Sequence, residues 1–284
     1  MGIVAATDQS EPLTQMLGFF SADLDQPCHH PFLNGGISLY THSAPDKSTG
    51  NEDAVAVVPI NAHAGVFIIA DGVGGRVGGA EAARLTIEQI SKTIKKVDTS
   101  FSLRDAILDG IESANGEVLA LKTGAAATLA VVEIDKGIAR PYHVGDTLIL
   151  ITGQRGKVKF ENIPHSPVGY AVEAGLLDKD DAVHHTARNL VSNVVGSNEM
   201  RIDVGPAIAL SPRDTLLVAS DSISDNFYGA EIVNSIRKGP LKKISAALIY
   251  ACRDRMSRKI SGQPGHSDDT TFILYRPNTG SAQS

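Results

Sequence analysis

The chain has 284 residues, 42% of them hydrophobic, and a formal net charge of −6. That length suits one large domain or two ordinary ones, and an acidic balance without any long basic stripe excludes a nucleic-acid binder held by phosphate neutralisation. No apolar run approaches the roughly 18 residues of a membrane span, and two distant cysteines, Cys28 and Cys252, suit inert thiols in a reducing compartment better than a disulfide framework.

The N-terminus lacks the basic, apolar, small-residue order of a signal peptide. Ala6 stands where a myristoylation motif starting at Gly2 wants Ser or Thr, so a cytoplasmic protein is expected. Residues 1–34 are aperiodic and read as an extension or loosely packed arm. Cys28, His29 and His30 carry ligand-type side chains there, but no second cluster completes a tetrahedral site and adjacent residues rarely converge on one ion. A linker is the simpler reading.

Regular structure is expected from residue 36, where apolar and polar residues alternate through Thr41 as in a half-buried strand. A loop of turn formers, Ser43 to Gly50, follows. Asn51, Glu52 and Asp53 lead into a second strand over 54–60; after a short turn the buried run Phe67-Ile68-Ile69-Ala70 ends in Asp71 and then Gly72-Val73-Gly74-Gly75. If these strands form a hairpin, Glu52 or Asp53 comes to lie beside Asp71. Beyond the glycines, Ala83, Ile87, Ile90 and Ile94 fall at helical spacing, with Glu81 in the first turn and Lys95-Lys96 at the last. A second helix is expected from Ser102, which with Asp105 makes a capping-box-like pair, through Val118.

From Ala126 the period changes. Three strands over 127–134, 139–144 and 147–152 are joined by turns too short for crossover helices, which predicts antiparallel pairing. Asp146 sits at the second turn, where ordinary turn chemistry explains it as well as function does. Residues 153–206 are more polar, with a short helical piece over 178–185, and read as a lid or flap. The run from Asp214 to Asp221 repeats the theme of an apolar strand ending in a carboxylate. Helices are expected over 231–238 and 241–259, parted by Gly239-Pro240, and a last strand over 270–275 follows Ser267-Asp268-Asp269.

Singly, each strand-end acid is a turn former. Jointly they suit a hard divalent cation, which prefers oxygen ligands. A pair of such ions sharing one carboxylate activates water and holds a phosphoryl group for in-line attack. Rival motifs fail: a dinucleotide fingerprint begun at Gly72 meets Val77 at its sixth position, and neither a Gly-Lys-Ser/Thr phosphate loop nor a Gly-x-Ser-x-Gly elbow occurs.

Taken in order, Asn51-Glu52-Asp53, the run from Ala70 to Gly75, the strand entry from Gly124 to Thr128, His143-Val144-Gly145-Asp146-Thr147, Ala219-Ser220-Asp221 and the run from Ser267 to Thr271 resemble the metal-dependent serine/threonine protein phosphatases of type 2C. The resemblance spans roughly residues 36–276, and the segment from His165 through Asn189 to Gly196 looks like the flap of the bacterial members. It implies an α+β fold, a four-layer sandwich of two central antiparallel β-sheets flanked by α-helices. The phosphatase domain would cover 35–277, with the flap near 160–205, an extension over 1–34 and a flexible tail over 278–284.

It further implies two Mn²⁺ or Mg²⁺ ions, with a third in bacterial relatives. By position Asp71 would bridge the pair and the Gly72 carbonyl would join the second ion, while Asp221 and Asp268 complete the shell of the first. Glu52 and Asp53 match the acidic pair near the second ion, and Asp146 with Asp221 would hold the third. Asp71, Asp221 and Asp268 are thus the implied catalytic set, serving hydrolysis of phosphoserine or phosphothreonine in protein substrates by a metal-bound water or hydroxide, in a monomer paired with a serine/threonine kinase.

Two departures stand out. The arginine that often precedes the acidic pair is replaced near Lys47, which can grip a substrate phosphate as a point charge but not as a fork. The usual Ser-Asp-Gly becomes Ser220-Asp221-Ser222, and the usual Asp-Asn becomes Asp268-Asp269. The missing arginine leaves open a catalytically weak regulatory member, and a small-molecule phosphoesterase is a remoter alternative.

Overall fold

Two antiparallel sheets lie face to face in the computed structural model, which describes residues 11–45, 47–73, 78–96, 102–258 and 262–278. In chain order come β1 (Leu17–Phe20), β2 (Cys28–Phe32), β3 (Gly35–His42), β4 (Asp53–Pro59), β5 (Ala64–Gly72), α1 (Gly79–Ile94) and α2 (Leu103–Ala120). They are followed by β6 (Ala127–Asp135), β7 (Ile138–Val144), β8 (Leu148–Thr152), β9 (Val158–Glu161), α3 (Pro167–Glu173), α4 (Lys179–Ala182), β10 (Asp203–Val204) and β11 (Ile208–Ala209). The last elements are β12 (Thr215–Ala219), α5 (Asp221–Asn226), α6 (Gly229–Ile236), α7 (Leu241–Ser257) and β13 (Thr270–Pro277). One sheet runs β1-β4-β5-β6-β7-β10 with β11 also on β7, and the other runs β2-β3-β13-β12-β8-β9.

The layering follows from side-chain alternation, since successive strand residues point to opposite faces. In β5, Val66, Ile68 and Ala70 join α1 and α2 residues such as Ile87 and Ile107 in one apolar cluster. Their neighbours Phe67 and Ile69 pack between the sheets with Ile151, Val218 and Ile273. A third cluster holds Leu217, Phe272 and Leu274 against Ile223, Ile236 and Leu248 of the helices outside the second sheet. Helix, sheet, sheet, helix is therefore the order of layers, and β5 reads as an unbroken apolar run because both its faces are covered. Each fully buried Ile, Leu or Phe contributes about 1.5–3 kcal/mol.

Two expectations need correcting. Of the expected arm over 1–34, residues 1–10 lie outside the described residues and the rest is not simply an arm: β1 pairs with β4 and β2 with β3, and Leu17 and Phe32 are buried in the core between the sheets, 3% and 1% exposed. The sequence hid them because both are edge strands, where Pro31 is tolerated and one flank needs no partner. The second correction concerns β7 and β8, which do not pair: β7 lies on β6 in the first sheet and β8 on β12 in the second. The turn carrying Asp146 crosses from sheet to sheet. Gly145 makes the crossing at φ +102°, and a Cβ there would stand 2.5 Å from that of Thr128.

The other elements fall near their expected places, and Ser102 caps α2 by accepting the Asp105 N–H at 3.1 Å. Short β9, β10, β11, α3 and α5 were not anticipated. The expected glycines Gly74 and Gly75 and the tail beyond Asn278 lie outside the described residues. Among the described residues no helix is long and apolar enough to cross a membrane.

Candidate metal centre

Both sheets deliver carboxylates to the same end of the sandwich. Asp53 opens β4 and stands directly opposite Asp71 of β5 in the strand register, as the hairpin reading required, while Thr128 of β6 flanks Asp71 on its other side. From the second sheet, Ala219 at the end of β12 pairs with Phe272 near the start of β13, so Asp221 and Asp268 emerge together. Asp146 arrives on the turn between the sheets. Glu52, Asp71, Gly72, Asp146, Asp221 and Asp268 line one cleft of about 240 Å³, and Asp53 is buried at 1% exposure.

Gly72 is required by close approach. A Cβ on it would lie 2.4 Å from the carbonyl carbon of Gly79, the first residue of α1, and 2.8 Å from the Glu52 carbonyl oxygen. Its N–H donates to that same carbonyl at 3.3 Å, which locks the end of β5 against the acidic pair.

The electrostatics are those of acids crowded together, with Lys47 beside Glu52 at 2.8 Å and His266 beside Asp268 at 3.9 Å. Burial, then the charges of Asp53, Asp221, Asp268 and Asp146, raise the Asp71 carboxyl well above its ordinary range. Burial and the Asp268, Asp225 and Asp146 charges do the same to Asp221. Burial raises Asp53 to about 7, with Asp269 and Asp268 adding to it, and burial plus Asp225 raises Asp146 to about 7. Asp268 is raised by burial as well. Among the described residues, both Asp53 carboxylate oxygens and Oδ1 of Asp221 are buried without a hydrogen-bond partner, an arrangement costing several kcal/mol per ionised group unless something compensates it. An oxygen-dominated donor set with unmet charge fits hard divalent cations such as Mg²⁺ or Mn²⁺. Asp71, Asp146, Asp221, Asp268 and Glu52 line the cleft and could hold them, whereas the expected ligand Asp53 is not among its lining residues.

Lys47 is placed differently from its expected role. Its ammonium lies 2.6 Å from Asp269 Oδ2 and 2.8 Å from Glu52 Oε2, and it does not line the cleft. Burial opposes the charged amine, but these two carboxylates outweigh it and hold the Lys47 pKa above its ordinary value. Asp269 is 3% exposed and also accepts the Ala44 N–H at 2.8 Å and the Glu52 N–H at 2.7 Å. The added charge at Asp269 is thus consumed by Lys47 and two backbone donors.

Several groups of the site escaped the sequence reading. Asn189 and Val191 of the flap and His266 form the cleft's far wall, with Asn189 Nδ2 3.4 Å from His266 Nε2. Asp225, one helical turn after Asp221, pairs with Arg188 at 3.3 Å; burial raises its carboxyl while Arg188 opposes the rise. The i, i+4 spacing of Asp221 and Asp225 is a helical signal that an expected α5 would have exposed.

A second group of ligand-type side chains, His143, His165 and Asp203, has its ligand atoms within 4.8 Å of one another. His165 Nδ1 accepts the Gly145 N–H at 3.1 Å and lies 2.8 Å from Asn193 Nδ2, while Nε2 lies 3.0 Å from Asp203 Oδ2. His143 Nε2 lies 2.9 Å from the Ile163 carbonyl, and the two rings stack with centroids 4.3 Å apart.

The family model described as protein phosphatase 2C matches residues 42–253. Over 257 residues the chain is 29% identical to protein phosphatase PhpP of Streptococcus pneumoniae serotype 2 (strain D39), covering 87% of this chain and 99% of that one. Among solved structures it is similar to the serine/threonine phosphatase of S. agalactiae, at 27% identity and TM-score 0.72 over 84% of this chain and 98% of that one. The catalytic domain of the phosphatase PstP, solved with two manganese ions, shares the fold at 17% identity and TM-score 0.68, covering 84% and 96%.

Proposed function

The chain belongs to the protein phosphatase 2C family, and from that premise we propose that it hydrolyses phosphoserine and phosphothreonine in protein substrates using two divalent cations, Mn²⁺ or Mg²⁺. The observation that carries this reading is the convergence of Asp71, Asp146, Asp221 and Asp268 with Glu52 on one cleft, with buried oxygens of Asp53 and Asp221 left without partners. Bound there, the cations supply Lewis acidity toward the phosphoryl oxygens and the attacking water.

The chain's own part is positioning. Asp71 feels the charges of Asp53, Asp221, Asp268 and Asp146 alike, which suits a carboxylate shared between two ions. With cations bound, the Gly72 carbonyl and Glu52 would serve one ion, Asp221 and Asp268 another, and Asp146 with Asp221 would offer a third position. Asn189 and Val191 close the cleft from the flap and limit where the substrate chain lies. Lys47 acts through Glu52 and Asp269 and is a positioning residue rather than a phosphate grip. The substrates are products of a serine/threonine kinase, met in the cytoplasm.

Hydrolysis of a phosphothreonine peptide with Mn²⁺, with Mg²⁺ and with chelator, in the native chain and in Asp71→Asn and Asp221→Asn, tests the reading. Turnover should require metal and both carboxylates; turnover that survives chelation or either substitution overturns it.

A further inference from the structure

Beside the metal centre lies a second cavity of about 350 Å³, between the flap helices α3 and α4 on one side and α5 and α6 on the other. Its walls are largely aliphatic and aromatic: Leu148, Val168, Val172, Val183, Phe227 and Ile232. The charged groups on it are mostly spent on one another. Lys179 meets Glu161 at 2.5 Å and Arg188 meets Asp225 at 3.3 Å, and Arg188 also donates to the Val183 carbonyl at 3.0 Å. What such a cavity offers a newcomer is apolar surface.

The cavity continues the metal cleft. Asp146 and Asp221 line both, and Arg188 lines the cavity while the next residue, Asn189, lines the cleft. The flap thus forms the partition between them. The volume is at the lower end of the range of about 300–1,000 Å³ for ligand pockets, enough for one or two side chains rather than a large free ligand. An extended peptide advances about 3.3–3.6 Å per residue, so residues one to three positions from a phosphoresidue held over the metal centre are the ones that reach a neighbouring compartment.

We infer that this cavity is a specificity subsite that takes a large apolar side chain, aliphatic or aromatic, within three residues of the phosphoserine or phosphothreonine in the protein substrate. The inference rests on the phosphatase reading. The flap in this role reads substrate sequence, selecting phosphosites flanked by Leu, Ile, Phe or Met and disfavouring sites flanked by charge, which would be desolvated against Leu148 and Phe227.

The test is a set of phosphothreonine peptides carrying Leu or Phe, in turn, at each of the three positions on either side, compared with the all-Ala peptide under Mn²⁺. One position should raise kcat/KM on the order of tenfold, chiefly through KM, which is the discrimination expected of a hydrophobic pocket. Filling the cavity from two different helices, with Val172→Phe and with Ala182→Phe, should bring that ratio below about twofold. The ratio is the readout, so a general loss of fold, which lowers both peptides alike, does not imitate the effect. A flat profile in the native protein, or a preference that survives both substitutions, overturns the subsite while leaving the phosphatase reading standing. Absence of turnover on every peptide and on a small aryl phosphate overturns the phosphatase reading and this inference with it.

Discussion

Two clusters of ligand-type side chains lie at the border of the flap, and they have opposite chemistry. In the acidic cleft, like charges face one another, carboxylate oxygens of Asp53 and Asp221 lack partners, and burial drives the carboxyls of Asp53 and Asp146 up to about 7. In the histidine cluster the acceptor Nδ1 of His165 is already met by the Gly145 N–H and its Nε2 faces Asp203. Burial there drives His143 down to about 4, toward the neutral form that its packing suits. Crowding of ligand atoms alone does not make a cation site; unspent charge does. The first cluster carries the unspent charge that our proposal gives to cations, and the second ties the Asp146 turn to the flap: His165 N–H donates to the Gly145 carbonyl at 2.9 Å, and Ser192 N–H donates to the His165 carbonyl at 2.8 Å.

The sharpest way to break the comparison is to remove one charge from each cluster. Asp71→Asn should lower Mn²⁺-dependent turnover on the order of 10³-fold, because several kcal/mol of cation stabilisation are lost. The same substitution relieves repulsion, so in chelator its Tm should exceed that of the native chain, by roughly 2–4 °C for each kcal/mol relieved. Calorimetry with and without Mn²⁺ reads both effects. A variant that is less stable in chelator would mean that Asp71 is not under the strain described.

Acid–base titration of stability should run in opposite directions in the two clusters. Asp53 and Asp146, raised from 3.8 to about 7 when folded, bind protons more tightly in the native state, so their stabilising contribution is complete below the ordinary carboxyl pKa and is lost as pH rises through 7. His143, lowered from 6.5 to about 4, contributes fully above 6.5 and loses that contribution as pH falls toward 4, on the order of 3 kcal/mol if the whole shift is realised. In chelator, the two carboxylates should make stability decline from about pH 4 to 7, with His143 offsetting part of that loss up to 6.5. Mn²⁺ should remove the decline, and His143→Gln should steepen it below 6.5 only. A decline unaffected by Mn²⁺ would detach it from the carboxylates.

How much of this was legible in the sequence depends on whether the signal is local. The Asp53 and Asp71 pairing was readable because two alternating strands and a short turn fix a register. Apolar runs and helical stripes located most strands and helices, while the four-layer sandwich came from the resemblance to the type 2C phosphatases. Asp146 was singled out by the resemblance alone, because a tight Gly-Asp turn looks the same whether it joins paired strands or crosses between sheets. β1 and β2 were missed because an edge strand carrying His29, His30 and Pro31 has no propensity to announce it. The Lys47 and Asp269 pair spans 222 residues, and no local pattern encodes such a distance. His165 lies between these extremes: its motif was noticed, but its bond to Gly145 was not. His165→Ala should destabilise the chain by about 1–3 kcal/mol by leaving the Gly145 N–H buried and unmet, with His165→Asn recovering part of it. Equal losses in the two variants would remove the Nδ1 acceptor from the explanation.

The smallest effect expected is at Lys47, where the acidic cleft borrows the device of the histidine cluster and satisfies a buried acid with neighbours. Asp269 accepts from Lys47, Ala44 N–H and Glu52 N–H at once. Asn at that position has one acceptor oxygen for donors on two sides, so Asp269→Asn must leave a donor facing a donor. Lys47→Ala removes a cation from Glu52, and its effect should show in the concentration of Mn²⁺ needed for half-maximal turnover rather than in KM for phosphopeptide. A phosphate grip would do the reverse, raising KM at saturating metal. A double-mutant cycle of Lys47→Ala with Asp269→Asn separates the two, since a positioning pair should couple by about 1 kcal/mol in stability. Independent losses, together with a raised KM in Lys47→Ala, would return Lys47 to the substrate.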